Sequence, residues 1–254
     1  MGRRRAAIGG QTNAVAGLTR DQLLEMIERG QSLMVEAASR LPAASDATIS
    51  GQAVKDSVAQ LSLLMLEMAD AVDALRAKRQ PRHIEDRDAY NDARAAADRD
   101  LPWPEVNKRA RLAEERLKSA VAACGEDLLA SEALVPGRTQ PQLLWRSVLQ
   151  TGYGQVVGRL CDSLLKEGAL DQARAVHVRC VDDSLTVAGE KSRPYAVALY
   201  NLACFDALYG NPESAMQLLR EALAQHPELR MSTAQDPDLR ALRGRPDFEA
   251  LLAG

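Results

Sequence analysis

Aromatic residues are scarce in this sequence, because they make up only 4% of its 254 residues, whereas 46% of the residues are hydrophobic. Alanine and leucine supply most of that hydrophobic fraction. Aromatic and β-branched residues are enriched in strands, while alanine and leucine favour closely packed helices. The composition therefore argues against a sheet and predicts an all-α fold. The chain is long enough for one large hydrophobic core or two smaller ones.

Paired cysteines, an excess of positive charge and long apolar runs are also missing. Four cysteines without a Cys-x-x-Cys pair predict buried reduced thiols rather than a zinc site or disulfides. A net charge of −3 favours neither nucleic acid nor a membrane as a partner. The longest apolar run is far shorter than a membrane span, and no signal core follows the basic N-terminus. We therefore expect a cytoplasmic protein with a flexible tail over residues 1–17.

The longest periodic segment, between Ala53 and Arg79, organises the first two-thirds of the chain. Its apolar residues recur alternately four and three positions apart, which places them in one stripe along a helix. Such a stripe has to be covered by other helices, and this spacing favours the near-parallel packing of helical bundles. The stripe consists of Val54, Val58, Leu61, Met65, Met68, Val72 and Leu75.

Three further helices are predicted around this one. Thr19 and Gln22 form a capping-box pattern at the start of the first. Pro104 suits the first turn of another, where its missing N–H costs nothing. The last spans about residues 143–166 and is stopped by Gly168.

Residues 81–104 form a long polar connection between the second and third predicted helices. Two packed helices are usually joined by about 2–8 residues, and a longer excursion is typical of a lid or a crossover. With this excursion, residues 18–167 have the number and lengths of helices of a four-helix bundle.

Two segments in the C-terminal part of the chain align on each other, one starting at Gly154 and the other at Ala196. They resemble the tetratricopeptide repeat, in which small residues allow two helices to cross closely. We expect tetratricopeptide-like hairpins over residues 154–254 that share the fourth bundle helix. The matching pairs are Leu160 with Leu202, Gly168 with Gly210, Ala173 with Ala215, and Cys180 with Ala222.

Three segments of the N-terminal part carry a family likeness: LTRDQLLEMIERG, GQAVKDSVAQL and DRDAYNDARAAADRDLPWPEVNKRARLAEERL. Together they resemble the DinB-like superfamily of four-helix bundles over about residues 18–165. The likeness is to the branch that includes the colibactin self-resistance proteins and the N-terminal domains of mycothiol-dependent isomerases. It implies a bacterial protein.

Metal-binding members of that superfamily carry one histidine in the second helix and two in the fourth. Here the first position holds Gln60, and the other two fall approximately on Gln150 and Gly154. An amide oxygen is a weak ligand for zinc or nickel, and glycine supplies no ligand at all. The resemblance therefore implies neither a metal nor a cofactor. The histidines that are present, His83, His177 and His226, fall in separate predicted elements.

Without a metal, the resemblance implies a pocket that lies between the helices and the excursion and binds a reactive natural product. The protein then sequesters this small molecule or hydrolyses it without a metal. Amides and tyrosine hydroxyls orient a polar ligand, and tryptophans support an aromatic one. The candidate ligand-binding residues are Gln60, Tyr90, Asn91, Trp103, Trp145 and Tyr153, and Glu67 is the candidate general base.

The alternative function is protein–protein interaction without catalysis. In that hypothesis the bundle is a relic, and the helical repeats bind a protein partner on an open concave face. A repeat face covered by the bundle and by the C-terminal hairpin would count against it.

Overall fold

The computed structural model describes residues 17–39, 49–82, 84, 89–90, 93, 98 and 100–253. This part of the chain is mostly helical, so the all-α prediction is confirmed. Residues 1–16 of the predicted tail, and Asn91 of the excursion, lie outside it. No helix within it is both long enough and apolar enough to cross a membrane.

The N-terminal helices are α1 (Arg20–Ser39), α2 (Ile49–Arg76), α3 (Trp103–Ala122) and α4 (Glu126–Leu129). Two short antiparallel strands follow, β1 (Glu132–Ala133) and β2 (Gln142–Leu143). Helix α5 (Leu144–Leu149), a π-helical turn (Gln150–Gly154) and α6 (Gln155–Lys166) then form one continuous rod. The C-terminal helices are α7 (Leu170–Ala188), α8 (Arg193–Leu208), α9 (Pro212–Gln225), α10 (Arg230–Gln235) and α11 (Pro246–Ala253), with 3₁₀ turns at Pro227–Leu229 and Pro237–Leu242.

Helix α1 begins at the predicted capping box. The Thr19 N–H donates to Gln22 Oε1 at 3.0 Å, and the Gln22 N–H donates to Thr19 Oγ1 at 3.3 Å. The side-chain amide of Gln22 also donates to the Val187 carbonyl at 2.7 Å. The cap therefore satisfies two free N–H groups and fastens the start of α1 to the end of α7.

The apolar stripe of α2 lies in the core, as its spacing predicts. Every member of the stripe is buried except Leu75, which is half-buried. Helix α2 packs against α3 and α6, and α1 packs against α3, α6 and α7. Leu61, Met65 and Leu117 are among the fully buried side chains that α2 and α3 contribute to this core.

Helix α1 approaches the π-helical turn so closely that only glycine fits at the crossing. A Cβ at Gly30 would overlap the carbonyl oxygen of Gly152, and a Cβ at Gly152 would lie 2.6 Å from Ile27 Cγ1. A π turn inserts one extra residue into a helix and displaces the backbone locally. The predicted fourth helix is therefore present, but it is wider at the point where α1 crosses it.

Two helical hairpins follow this core, α6 with α7 and α8 with α9. Their turns contain Gly168 and Gly210, at φ of +72° and +87°, values at which glycine avoids the strain of other residues. Ala173 and Ala215 are fully buried, each at the equivalent position of its second helix. The matching offsets read from the sequence thus correspond to matching local structure.

A buried carboxylate fastens the second hairpin to the first. Asp206 in α8 accepts two hydrogen bonds from the Arg174 guanidinium, at 2.7 and 2.9 Å, and a third from Ser214 Oγ at 2.6 Å. Burial by itself raises the pKa of Asp206, but the hydrogen bonds from Arg174 and Ser214 outweigh it and hold the pKa below its usual value. The ionised form is therefore the one that the fold stabilises.

Replacing Gly30 with alanine should destabilise the protein, because the added methyl group overlaps the Gly152 carbonyl. We expect a loss of about 1–3 kcal/mol in the free energy of unfolding, measured by urea denaturation. Gly158→Ala is the matched control, since a Cβ at this exposed position of α6 meets nothing within 4 Å. That variant should gain about 0.5–1 kcal/mol from the higher helix propensity of alanine. Equal effects of the two substitutions would contradict the close crossing.

The stability contributed by Asp206 should disappear at low pH. Because its pKa is lower in the folded chain, the unfolded chain binds the proton first, and stability falls as the pH drops below about 4. Asp206→Asn should cost about 2 kcal/mol at neutral pH, with a smaller difference from the wild type near pH 3. Midpoints of urea denaturation, measured from neutral pH down to the acidic pH given above, test this prediction. The exposed Asp162→Asn variant is the control. A loss that does not vary with pH would contradict the ionic role.

Candidate functional site

A cavity of about 460 Å³ lies between the α5–π segment and α8, and we call it the junction cavity. Its apolar wall includes Met26, Trp145, Leu149, Val197 and Ala198. Its polar lining includes Arg138, Gln142, Arg146, Gln150, Arg193 and Asn201. A concave apolar surface with a few polar groups is the usual form of a small-molecule site.

Trp145 is the largest apolar group in the junction cavity. The residue is buried, and a Cβ at Gly17 would lie 2.6 Å from its Nε1, so the Gly17 backbone packs directly against the indole. The Cζ atom of Arg146 lies 5.3 Å from the centre of the indole ring, within the range of a cation–π contact. The indole is therefore held between the Gly17 backbone and the Arg146 guanidinium.

Arg146 is a half-buried cation without an ionic partner among the described residues. Its Nε is inaccessible to solvent and makes no hydrogen bond within the described part of the chain. Burial lowers the pKa of Arg146, and the nearby charge of Arg193 lowers it further, while Glu228 partly opposes them. The local environment is thus unfavourable to the charge that an arginine nevertheless carries.

Tyr153 lines the junction cavity with its ring, but its hydroxyl is already engaged. It donates to Asp183 Oδ2 at 2.8 Å, while Arg29 Nη1 and Arg179 Nε donate to Asp183 Oδ1 at 2.7 and 2.9 Å. Burial raises the pKa of Tyr153, and its contacts with Cys180 and Asp183 raise it further, so the hydroxyl remains protonated. Asp183 thereby joins α1, the π turn and α7.

The other predicted site residues that the structure describes lie elsewhere. Gln60 accepts a hydrogen bond from Arg159 Nη1 and does not line the junction cavity. Glu67 and Tyr90 line a second cavity of about 670 Å³, which shares no lining residue with the first. Trp103 packs at the edge of a small cluster with Val54, Val58 and Val106. The structure therefore brings Trp145 and Tyr153 together and separates them from Gln60, Glu67, Tyr90 and Trp103.

The three positions at which the resemblance would place metal ligands do not form one site. Gln150 and Gly154 line the junction cavity beside α8, whereas Gln60 pairs with Arg159. His177 packs its ring against Phe205 at 5.1 Å, and His226 contacts Glu228 at 2.9 Å. His83 lies outside the described residues.

Cys204, Asp236 and Asp238 bring three potential metal-ligand atoms within 4.8 Å of one another. The Asp236 carboxylate already accepts from the Tyr200 hydroxyl at 2.6 Å and from the Asp238 N–H at 2.9 Å. Burial raises the pKa of Cys204 to about 12, so its thiol stays protonated. These hydrogen bonds account for the cluster as the start of a 3₁₀ turn.

The cysteines are free thiols, as the sequence predicts. Three of them are buried and Cys180 is half-buried. Burial raises the pKa of Cys161 to about 12 and that of Cys180 to about 11, and it also raises the pKa of Cys124. A thiolate nucleophile is therefore unfavourable at these positions.

Sequence reasoning missed the arginines of the junction cavity. Arg146 is the one charged residue in the mostly apolar run LLWRSVL, and a lone charge on a buried helix face is a signal that could have identified it. Arg193 has no comparable signal, because it reaches the cavity only through the position of α8, which packs against α7. No protein-family model, no curated protein and no solved structure matches this chain.

Asp183→Asn should weaken the attachment of α7 to α1. The variant leaves two arginines without their shared carboxylate, at an expected cost of about 2–3 kcal/mol, less than for a fully buried pair because both guanidiniums reach solvent. Urea denaturation measures the loss. The neighbouring exposed Asp182→Asn should stay within about 0.5 kcal/mol of the wild type. Similar losses in both variants would show that Asp183 has no special role.

Proposed function

We propose that this chain is a metal-free small-molecule-binding protein whose ligand occupies the junction cavity. The observation that carries the proposal is the cavity itself, whose volume of about 460 Å³ lies within the usual range for small-molecule sites. Trp145 and Val197 provide apolar surface, and Gln150 and Asn201 provide hydrogen-bonding groups. This combination suits a compact organic molecule with an apolar body and a polar group.

The proposal also covers the arrangement of the helices. We infer a DinB-like four-helix bundle formed by α1, α2, α3 and the α5–α6 rod, followed by two tetratricopeptide-like hairpins. The packing of these helices around one main core supports the bundle, and the glycine turns with buried alanines support the repeats. A role in self-resistance or detoxification rests on the resemblance to the colibactin self-resistance branch.

Sequestration is favoured over hydrolysis for a ligand in the junction cavity. A hydrolase without a metal needs a general base beside the bound substrate. None of the described residues that line this cavity is a carboxylate or a histidine. Glu67, the predicted base, lines the second cavity instead.

Protein binding through the repeats has less support than small-molecule binding. Helix α8 is buried around most of its circumference, from Tyr195 to Ala207. The 3₁₀ turn Pro237–Leu242 packs against it on one side, with Leu239 and Leu242 fully buried. The repeat face is therefore largely covered, which is the arrangement that counts against an open docking surface.

An indole placed in the junction cavity should block ligand binding. Gln150 is exposed and lines the cavity, so Gln150→Trp can fill the cavity without disturbing the core. Titration with phenylnaphthylamine, an uncharged fluorescent aromatic amine, should give saturable binding to the wild type. Binding to Gln150→Trp should be at least about tenfold weaker, a loss of about 1.4 kcal/mol.

The matched control is Gln217→Trp, which adds the same side chain at an exposed position of α9. It should bind the probe as the wild type does. Equal binding by the wild type and both variants, or no saturable binding of either this probe or its sulfonated analogue to the wild type, would contradict the proposal. Native mass spectrometry of protein purified from its own host provides a second measurement, which should reveal a bound small molecule.

A further inference from the structure

The junction cavity has an unbalanced charge. Arg138, Arg146 and Arg193 line it, and none of its described lining residues is acidic. Charged side chains are rarely fully buried unless they are paired, because an unpaired charge away from water is costly. The cavity is therefore electropositive in a chain whose net charge is −3.

Glu228, the carboxylate whose charge acts on Arg146, is already engaged. Its Oε1 accepts from Arg193 Nη1 at 2.7 Å and lies 2.9 Å from His226 Nδ1. Arg146 has no such contact among the described residues, and its Nε has neither solvent nor a hydrogen-bond partner. Arg146, whose guanidinium lies against the indole of Trp145, thus has no counter-ion among the described residues.

We propose that the ligand of the junction cavity is an organic anion whose carboxylate, sulfonate or phosphate group binds Arg146 and Arg193, with its apolar body against the wall formed by Trp145, Leu149 and Val197. This inference rests on the proposed function and specifies the class of ligand. A guanidinium offers parallel N–H donors that match two oxygens of an oxyanion. The apolar wall beside Arg146 supplies the surface for the rest of the molecule.

The geometry favours an anion over a neutral polar ligand for an energetic reason. Hydrogen bonds between ionised partners are roughly twice as strong as neutral ones, and they strengthen where water is excluded. A neutral ligand would leave the charge of Arg146 without a counter-ion, whereas an anion would neutralise it. The cost of partly burying this charge is already included in the free energy of the folded protein. The predicted selectivity is therefore for the charged member of any matched pair of ligands.

The test compares two probes with the same aromatic skeleton: anilinonaphthalene sulfonate carries the anionic group, and phenylnaphthylamine lacks it. The wild type should bind the sulfonate at least about tenfold more tightly. Arg146→Gln should weaken sulfonate binding about tenfold and leave phenylnaphthylamine within about twofold. Arg111→Gln, which removes an exposed charge from α3, should change neither affinity.

The two proposals fail in different ways. If both probes bind the wild type equally and Gln150→Trp blocks both, the cavity binds small molecules but the inferred anion preference is wrong. If neither probe binds, or if Gln150→Trp leaves both affinities unchanged, the proposed function fails and the inference fails with it.

Circular dichroism and urea denaturation check the fold of Arg146→Gln. If that variant does not fold, Arg193→Gln should show the selective loss of sulfonate binding, and equal losses for both probes would overturn the inference.

Discussion

The close crossing of α1 over the π-helical turn is the constraint on which the rest of the structure depends. Gly30 and Gly152 leave room for backbone against backbone, and a larger residue at either position would push the two helices apart. The same π turn carries Tyr153, whose hydroxyl reaches Asp183 on α7. The contact between two glycines thus sets the position of the first hairpin relative to the N-terminal core, and with it one wall of the junction cavity.

Buried carboxylates extend this arrangement along the chain. Asp183 connects α7 to α1 and the π turn, and Asp206 connects α8 to α7 and α9. Each is almost inaccessible and receives three or more charged or polar donors, so each is satisfied only when its neighbouring helices are in place. Apolar packing supplies most of the stability, while these two carboxylates specify which helix lies beside which.

The sequence predicted the features that depend on local pattern. The stripe of α2, the Thr19–Gln22 cap and the turn glycines Gly168 and Gly210 each follow from residues a few positions apart, where periodicity and backbone preference determine the outcome. Trp145 and Tyr153 were also predicted as site residues, and they line one cavity. The π turn and the uncompensated Arg146 could not be predicted in the same way, because both arise from contacts between segments far apart in the chain.

The position of Trp145 next to Arg146 has a consequence for how the proposed site would discriminate between ligands. Small oxyanions such as inorganic phosphate are abundant, and any of them can approach a guanidinium. Such ions have no apolar body, so they gain nothing from the wall that Trp145, Leu149 and Val197 provide. The arginines would therefore attract many anions, but only an anion with an apolar group that packs against this wall would remain bound.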